Sequence, residues 1–261
     1  MINDDKKCND LSGKEWLQNS FSIWRDLIKT KEEKDLKHPA SYPVSLCEKL
    51  IRTFSKSGSR VLDPFNGIGS SMVAAHNLNY SGVGVDLSEE FCRIAKKRVD
   101  NDDNIKIING DSFEEIEKFS ENYFDICITS PPYWDILNMK RSADGKKTVN
   151  YSDKGNDLGN ISNYEDFITS LGELFTKIRK KLKPRGYCII NVMDLRKKSQ
   201  FYPLHSDLAT EMQRIGYIYD DLIIWDRQQD YNNMRPLGYP CKFRINKVHE
   251  YLLIFINEKK G

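Results

Sequence analysis

A short apolar strand and the glycine-rich turn after it, at residues 60–71, constrain the fold more than any other stretch of the chain. The run Arg-Val-Leu-Asp-Pro at 60–64 predicts a buried strand, and an apolar helical pattern follows the turn over 72–78. Gly67 and Gly69 let the backbone approach a ligand closely at a helix N-terminus. A strand, a glycine-rich turn and a helix in this order predict the first unit of a nucleotide-binding α/β sheet.

Six further apolar runs predict the other strands of this sheet. They are residues 82–86, 105–108, 124–128, 187–192, 221–225 and 250–256. Amphipathic helical patterns separate most of these strands, which is typical of a largely parallel sheet with helices on both faces. The last two strands follow each other without a clear helix between them, and this predicts an antiparallel pair at one sheet edge.

The residues before the first strand carry less regular patterns. Residues 1–15 are polar, and we expect them to be mobile. The spacing of apolar residues from Trp16 to Ile28 predicts one face of a helix. The charged run 29–37 predicts a solvated helix face or a loop.

Composition describes an ordinary globular protein, which we expect to form a single domain over residues 1–261. Hydrophobic residues make up 39% and charged residues 30% of the chain, and the net charge is +2, so a polyanion would have to bind a local basic patch. The six cysteines show no Cys-x-x-Cys spacing, which favours reduced thiols, a cytoplasmic location and no structural zinc. The polar N-terminus and the lack of a long apolar run predict neither a signal peptide nor a membrane span.

Acidic residues end three successive predicted strands, at Asp63, Asp86 and Asp111. Ligands of open α/β sheets bind at the carboxyl ends of the strands, where Asp86 can accept hydrogen bonds from both hydroxyls of a ribose. The turn lacks the third glycine of a dinucleotide fingerprint, and the chain lacks the Gly-Lys-Ser/Thr of a triphosphate site. A cofactor with a ribose and a cationic end but no phosphate therefore fits, and S-adenosylmethionine is such a molecule. The alternative is that these acids only cap helices.

A Thr-Ser-Pro-Pro-Tyr-Trp segment, residues 129–134, follows the predicted strand 124–128. The two prolines stop the strand, because neither can donate a backbone hydrogen bond, and they hold the carbonyl groups of Ser130 and Pro131 in fixed directions. Such acceptors can bind the amino group of a planar heterocycle while the aromatic residues stack on the ring. The alternative is a Pro-Pro turn followed by two core aromatic residues.

Together with this block, three other segments resemble the amino-methyltransferases of DNA that carry a Ser/Asp/Asn-Pro-Pro-Tyr/Phe motif. Residues 63–70 resemble that family's cofactor loop, 38–43 (His-Pro-Ala-Ser-Tyr-Pro) its segment over the methionine end of the cofactor, and 249–255 (His-Glu-Tyr-Leu-Leu-Ile-Phe) its last strand. The resemblance spans about residues 16–256. It implies a Rossmann-like S-adenosylmethionine-dependent methyltransferase fold, with a seven-stranded mixed sheet and a reversed last strand. The Pro-Pro-Tyr block follows the cofactor loop here but precedes it in many relatives, so the chain resembles the other circularly permuted arrangement.

The resemblance also implies the residues of the site. Those implied to bind the cofactor are His38, Pro39, Ala40, Asp63, Phe65, Gly67, Gly69, Ser70, Asp86, Leu87, Asp111 and Ser112. Those implied to be catalytic are Ser130, Pro131, Pro132 and Tyr133. In this interpretation the target base flips out of the duplex, Tyr133 stacks on it, and its amino group donates hydrogen bonds to the Ser130 side chain and the Pro131 carbonyl.

The identity of the substrate base depends on one residue. In this family a serine before the Pro-Pro pair favours cytosine and an aspartate favours adenine, so Ser130 implies methylation of cytosine N4, with adenine N6 as the alternative. Double-stranded DNA is the implied substrate, and a cognate restriction endonuclease is a candidate partner; the sequence leaves the oligomeric state open. The rival interpretations are methylation of RNA or of a protein glutamine, and a catalytically silent nucleic-acid-binding module.

Two polar stretches, 135–163 and 226–249, are candidate DNA-recognition loops, because arginine, asparagine and glutamine side chains pair with base edges. The candidates in the second stretch are Arg227, Gln228, Gln229, Asn232, Asn233, Arg235, Lys242 and Arg244. Residues 177–183 are rich in lysine and predict a solvated helix face. His38 and His249 do not belong to a recognisable set of metal ligands, so we interpret neither as a ligand and predict no metal site.

Overall fold

An eight-stranded mixed sheet forms the centre of the computed structural model, which describes residues 7–36, 41–100, 102–134, 158–197, 199–230 and 236–258. The strands of this sheet and of a separate hairpin are β1 (Ile23–Trp24), β2 (Arg60–Asp63), β3 (Ser81–Asp86), β4 (Ile105–Asn109), β5 (Phe124–Thr129), β6 (Leu182–Val192), β7 (Leu195–Lys197), β8 (Gln200–Tyr202), β9 (Ile218–Asp226) and β10 (His249–Ile256). The α-helices are α1 (Gly13–Asn19), α2 (Lys31–Asp35), α3 (Val44–Phe54), α4 (Ser70–Asn77), α5 (Glu89–Arg98), α6 (Ser112–Glu115), α7 (Tyr164–Lys181) and α8 (Leu204–Arg214).

The strand order of the large sheet is β1-β9-β10-β6-β5-β2-β3-β4. β10 is antiparallel to both of its neighbours, whereas every other neighbouring pair is parallel. All seven predicted strands are present, and the reversed last strand is confirmed. The antiparallel pair does not lie at the sheet edge, however, because β1 adds an eighth strand outside β9.

The helix predicted from Trp16 to Ile28 is wrong after Asn19. α1 ends at Asn19, and Ile23 and Trp24 instead extend the sheet by pairing with Ile224 and Trp225. The exposed fraction of the Trp24 side chain is 1%, whereas that of Trp16 on α1 is 51%. Burial of one large aromatic side chain against β9 stabilises the extended conformation more than the remaining helical turns would.

The charged run after β1 forms the short helix α2, and most of its side chains are solvated as predicted. Glu33 is the exception, because it is buried and closes a capping box with Thr30. Its other carboxylate oxygen accepts a hydrogen bond of 2.8 Å from the backbone N–H of Val44 at the start of α3.

The prediction that residues 1–15 are mobile falls partly outside the described residues. In the described part of this stretch, the side chain of Asn9 donates a hydrogen bond of 2.7 Å to the carbonyl of Thr53 in α3, so this residue is held against the helix.

Helices cover both faces of the sheet, as predicted. α7 and α8 pack on one face against side chains such as Phe255, while α3, α4 and α5 pack on the other against side chains such as Ile254. Successive residues of a strand point to opposite faces, so β10 supplies side chains to both cores. None of the described helices is both long and apolar enough to cross a membrane.

The lysine-rich end of α7 is less solvated than predicted. Lys181 is buried, and its amino group donates hydrogen bonds to the carbonyls of Glu117 and Phe119 at 3.2 and 2.8 Å. A lysine ammonium can be buried when backbone carbonyls accept the hydrogen bonds that water would otherwise accept from it. Lys181 therefore fastens the end of α7 to the segment after α6.

Candidate active site

A cavity of about 880 Å³, counted with its open mouth, lies at the carboxyl ends of β2, β3, β4 and β5. Most predicted site residues line it, namely Phe65, Gly67, Ser70, Asp86, Leu87, Asp111, Ser112, Ser130 and Pro132. Ser130 and Pro132 come from the Pro-Pro segment, and the others come from the predicted cofactor side. The structure thus brings the two predicted halves of the site together in one cavity.

The glycine-rich turn is held in place from the end of the neighbouring strand. Gly67 has φ +51°, and its N–H donates a hydrogen bond of 2.6 Å to Oδ2 of Asp86, while Oδ1 of Asp86 accepts one of 2.9 Å from the N–H of Ser88. Gly69 has φ +82° and does not line the cavity; a Cβ there would lie 2.8 Å from Cβ of Ala95. Gly67 therefore shapes the cavity wall, whereas Gly69 allows α4 to approach α5 closely.

Asp63 lies beneath the turn and not on the cavity wall. Its carboxylate is fully buried and accepts hydrogen bonds from the hydroxyls of Tyr42 (2.8 Å), Ser71 (2.5 Å) and Thr129 (2.7 Å) and from the N–H of Phe65 (3.0 Å). Burial raises the pKa of the Asp63 carboxyl above its ordinary value. These contacts suit a residue that fixes the shape of the turn, and not one that touches a ligand directly.

The charge of the cavity wall limits what can bind there. Among the described lining residues there are two acids, Asp86 and Asp111, and no lysine or arginine. The side-chain oxygen of Asn66 is buried in this wall and has no hydrogen-bond partner among the described residues. Carboxylates and free acceptors suit hydroxyl and ammonium groups, and they disfavour phosphate. The residues present therefore fit S-adenosylmethionine.

The segment 130–133, called the ledge below, follows β5 directly. Ser130 and Pro132 line the cavity, whereas Pro131 is buried and Tyr133 is half-buried beside the lining residues. The next residue, Trp134, has φ +51° and is buried against Tyr202, with ring centroids 5.0 Å apart. A left-handed conformation is costly for a residue with a bulky side chain, so packing of this indole fixes the direction in which the chain leaves the ledge.

A buried carboxylate anchors the ledge from the last strand. Oε2 of Glu250 accepts hydrogen bonds from the Tyr133 hydroxyl (3.0 Å) and the Asn191 amide (2.5 Å), and its Oε1 pairs with Arg227. The Tyr133 hydroxyl also lies 3.4 Å from Oγ of Ser130. Burial, and then the negative charge of Glu250, raise the pKa of Tyr133 well above its ordinary value. The predicted stacking surface is therefore fixed at its hydroxyl end.

Several residues that were not among the individually predicted site residues also line the cavity. They are Ser41, Tyr42, Pro64, Asn66, Ile68, Phe113, Leu158 and Leu174. Five of them lie inside the segments 38–43 and 63–70 that the resemblance had already marked, and Phe113 directly follows Ser112. Leu158 and Leu174 gave no such signal, because helix packing alone brings them to the cavity. The predicted residues His38, Pro39 and Ala40 lie outside the described part of the chain.

The two candidate DNA-recognition loops are described only in part. Residues 135–157 and 231–235 lie outside the described residues, and with them Asn232, Asn233 and Arg235. Arg227 pairs with Glu250 and with Asp230, the latter at 3.1 Å. Gln228, Gln229, Lys242 and Arg244 belong to the described remainder of the second loop. Among the described residues, no group of three or more His, Cys, Asp or Glu could hold a metal ion.

A protein-family model described as DNA methylase matches residues 1–97 and 124–261, which is most of the chain. The chain belongs to the DNA methylase family. A second model, described as a methyltransferase domain, matches residues 62–142.

Two type II methyltransferases illustrate the similarity. M.MwoI of Methanothermobacter wolfeii is 30% identical over 154 residues, which are 58% of this chain and 20% of that protein. M.HpaI of Haemophilus parainfluenzae is 40% identical over 67 residues, 26% of this chain and 21% of that protein. The match to this chain thus spans about a fifth of the length of each of these relatives.

Solved structures agree with the fold. TrmN of Thermus thermophilus superimposes with a TM-score of 0.51 at 14% identity, over 84% of this chain and 50% of that one. A SAM-dependent methyltransferase of Methanosarcina mazei gives a TM-score of 0.52 at 10% identity, over 80% of this chain and 97% of that one. The predicted Rossmann-like methyltransferase fold is confirmed. Family membership, the match to a methyltransferase-domain model and the acidic cavity make S-adenosyl-L-methionine the cofactor.

Proposed function

We propose that the protein transfers the methyl group of S-adenosylmethionine to the exocyclic N4 amine of a cytosine flipped out of double-stranded DNA. One observation carries this proposal: Ser130 and Pro132 of the ledge line the same cavity as Gly67 and Asp86 of the cofactor side. A methyl donor and an amine acceptor held in one cavity can react by direct displacement, because the protein supplies proximity and alignment.

The cofactor side holds the donor. Asp86 would accept hydrogen bonds from the ribose hydroxyls, and Leu87 and Phe113 offer apolar surface to the adenine. When bound, S-adenosylmethionine supplies a methyl group on a cationic sulfur, which is the electrophile of the reaction. The wall, with two acids and no described base, stabilises that positive charge.

The ledge prepares the acceptor. An exocyclic amine is a poor nucleophile, because its lone pair is delocalised into the ring. Hydrogen bonds from its two N–H groups to the Ser130 hydroxyl and the Pro131 carbonyl would favour tetrahedral geometry and free that lone pair. Tyr133 would stack on the flipped base. No strong general base is required, because the methylated amine is acidic and its extra proton can pass to water.

The finer substrate assignment rests on Ser130. Cytosine N4 and adenine N6 present the same amidine-like edge, and the serine before the Pro-Pro pair is our reason to propose cytosine. A cognate restriction endonuclease as partner and a cytoplasmic location stay predictions.

The test is transfer of tritiated methyl groups from S-adenosylmethionine to DNA, RNA and protein, followed by nucleoside and amino-acid analysis. DNA amplified in vitro serves as substrate, because it is unmethylated and contains many different sequences. We expect label in DNA as N4-methylcytosine. N6-methyladenine would overturn the choice of base, and label only in RNA or protein glutamine would overturn the DNA substrate. No transfer to any substrate, with cofactor binding intact, would indicate a silent binding module.

A further inference from the structure

A basic hairpin lies beside the ledge and takes no part in the cavity. β7 and β8 pair in antiparallel register directly after β6, with Leu195 opposite Tyr202. Leu195 is buried, and the ring of Tyr202 contacts both Trp134 and Tyr164, with centroids 5.0 and 4.7 Å apart. The hairpin is therefore packed on the residue that follows the ledge.

A buried carboxylate fixes the base of the hairpin. Asp194, immediately before β7, hydrogen-bonds to Nδ1 of His205 at 2.6 Å and accepts a hydrogen bond of 3.2 Å from the Tyr251 hydroxyl. The imidazole of His205 also stacks on the Tyr251 ring, with centroids 4.1 Å apart. The hairpin is thus tied to α8 and β10 and presents its outer side chains from a rigid base.

Cationic and aromatic side chains form that outer surface. Phe201 is 38% exposed, and the Arg196 guanidinium lies 5.4 Å from its ring centroid. The amino group of Lys247, from the second candidate DNA-recognition loop, lies 4.9 Å from the same centroid. The amino group of Lys197 lies 4.0 Å from the Trp134 centroid. Cation–π contacts of this kind hold the charges at defined positions beside the ledge.

Neither of the two chain segments that supply this surface contains an acid. Residues 195–202 include three basic residues and no acid, and residues 231–249 include four lysines or arginines and no acid, in a chain with 40 basic and 38 acidic residues. Three acids that share contacts with neighbouring residues are engaged: Asp194 as above, Asp207 with the Tyr164 hydroxyl at 2.8 Å, and Glu250 with Arg227. The positive charge is therefore local, as a protein of low net charge requires for binding a polyanion.

We propose that this surface, the hairpin β7–β8 together with Lys247, binds phosphate groups of the double-stranded DNA that flanks the target base. The proposal rests on the proposed function, because it takes DNA as the substrate presented to the ledge. Lysine and arginine side chains that neutralise phosphates release the counterions of the DNA. This release gives affinity for DNA that does not depend on the base sequence. The surface lies next to the ledge through Trp134, so it would position the duplex beside the cavity and leave base recognition to the loops.

The variant Arg196→Gln/Lys247→Gln tests the proposal, since both side chains lie on the outer surface and neither touches the cavity. Binding of a fluorescein-labelled duplex of arbitrary sequence is measured by anisotropy at several salt concentrations. We expect the slope of log affinity against log salt to become shallower by about 0.9 for each phosphate that the variant no longer neutralises. Between about 50 and 200 mM salt, the affinity of the wild-type protein should then fall about tenfold further than that of the variant.

The matched control is Lys96→Gln/Lys97→Gln, which removes the same charge from α5, a helix packed on β3 and β4 at the other end of the sheet. Its salt slope should equal that of the wild type. A wild-type slope in the hairpin variant, or an equally shallow slope in the control, overturns the proposal while DNA methylation by the wild type still supports the proposed function. A wild-type protein that neither binds nor methylates duplex DNA overturns both.

Hydrogen exchange on the wild-type protein gives a second measurement that needs no variant. We expect amide exchange in residues 195–202 to slow when the duplex is added and to stay unchanged when S-adenosylmethionine is added alone. Unchanged exchange in the hairpin at saturating duplex would contradict the proposed binding. Single-stranded RNA that competes with the duplex at equal concentration and slows the same amides would overturn the assignment of the surface to DNA.

Discussion

Asp86 and Ser130 lie on one cavity but are expected to serve different reactants. Asp86→Ala removes a carboxylate that holds Gly67 and faces the cofactor side, so we expect cofactor affinity to fall about tenfold to a hundredfold. Ser130→Ala removes one acceptor for the amine, so we expect kcat to fall about a hundredfold with cofactor affinity nearly unchanged. Calorimetric titration of S-adenosylmethionine and steady-state kinetics separate the two effects.

These two roles would be wrong if both substitutions only weakened cofactor binding. Thermal unfolding of each variant without ligand serves as the control, because removal of the Asp86–Gly67 hydrogen bond also loosens the turn. The roles of Asp86 and Ser130 are assigned from the difference between the two variants in cofactor affinity and in kcat. A drop in activity alone does not assign them.

Glu250 is a positioning residue for the ledge, since it touches Tyr133 and not the cavity. Glu250→Gln keeps its shape but removes the charge that pairs with Arg227. We expect kcat to fall about tenfold to a hundredfold, because displacement of a stacking residue by about 1 Å misaligns the base. Cofactor affinity should stay near the wild-type value. Tyr133→Phe should lower kcat similarly, and the double variant should be little worse than either, because both substitutions weaken the same contact between Tyr133 and Glu250.

Glu211→Gln provides the control for this prediction. Glu211 is also a buried carboxylate paired with an arginine, Arg214, at 2.6 Å, but it lies on α8 and does not contact the ledge. Equal decreases of kcat in the Glu250 and Glu211 variants would show that Glu250 acts through stability alone. Additive decreases in the Tyr133/Glu250 double variant would lead to the same conclusion.

The sequence could predict the residues that line the cavity better than the residues that hold them in place. Ser130 and Asp86 belong to short local motifs, so their place in the site followed from their neighbours in the chain. Glu250 is separated from Tyr133 by 117 positions, and a contact of that kind depends on strand order. Asp63 belonged to a recognisable motif, yet its burial under the turn followed from three side chains that fold onto it.

At the scale of elements, β1 is the part of the fold that the sequence concealed. A two-residue strand has no periodicity of its own, and its conformation depends on pairing with β9. The seven other strands of the sheet could be predicted because their apolar runs are long enough to identify. The hairpin β7–β8 was also missed, since its short strands are mostly polar and exposed.

Trp24→Ala tests the role of β1. The Trp24 side chain is 1% exposed, and the amino group of Lys49 lies 4.2 Å from its ring centroid. We expect the free energy of unfolding in urea to fall by about 3–5 kcal/mol, the usual cost of truncating a buried tryptophan. Trp16→Ala is the matched control, because Trp16 is 51% exposed, and a surface substitution changes stability by about 0.5 kcal/mol or less. Equal effects of the two substitutions would refute the burial of β1.

At the scale of the whole molecule, many of the 13 tyrosines are buried in ways that oppose ionisation. Burial is the largest cause of a raised pKa at Tyr42, Tyr80, Tyr133, Tyr164, Tyr187, Tyr217, Tyr219 and Tyr251. For Tyr251 the pKa rises from 10.0 to about 12. Each of these hydroxyls therefore binds its proton more tightly in the folded than in the unfolded chain.

This arrangement predicts a steep decline of stability in alkali. Below pH 10.0, the ordinary pKa of tyrosine, both states keep their phenolic protons and the stabilisation is complete. Above that value the unfolded chain releases protons that the folded chain retains, so the free energy of unfolding falls as pH rises. Urea unfolding from about pH 8 to about pH 11 measures the fall, and near-ultraviolet absorbance shows when tyrosinate forms.

Two substitutions test whether buried tyrosines cause the loss of stability in alkali. Tyr217 is 3% exposed and its hydroxyl donates to the carbonyl of Phe175, whereas Tyr239 is 79% exposed. Tyr217→Phe removes one ionisation coupled to folding, so its free energy of unfolding should fall less steeply with pH than that of the wild type. Tyr239→Phe should follow the wild-type curve. An exposed phenol ionises without unfolding of the chain. If most tyrosines formed tyrosinate near their ordinary pKa while circular dichroism still showed a folded chain, burial would not be the cause of a raised tyrosine pKa.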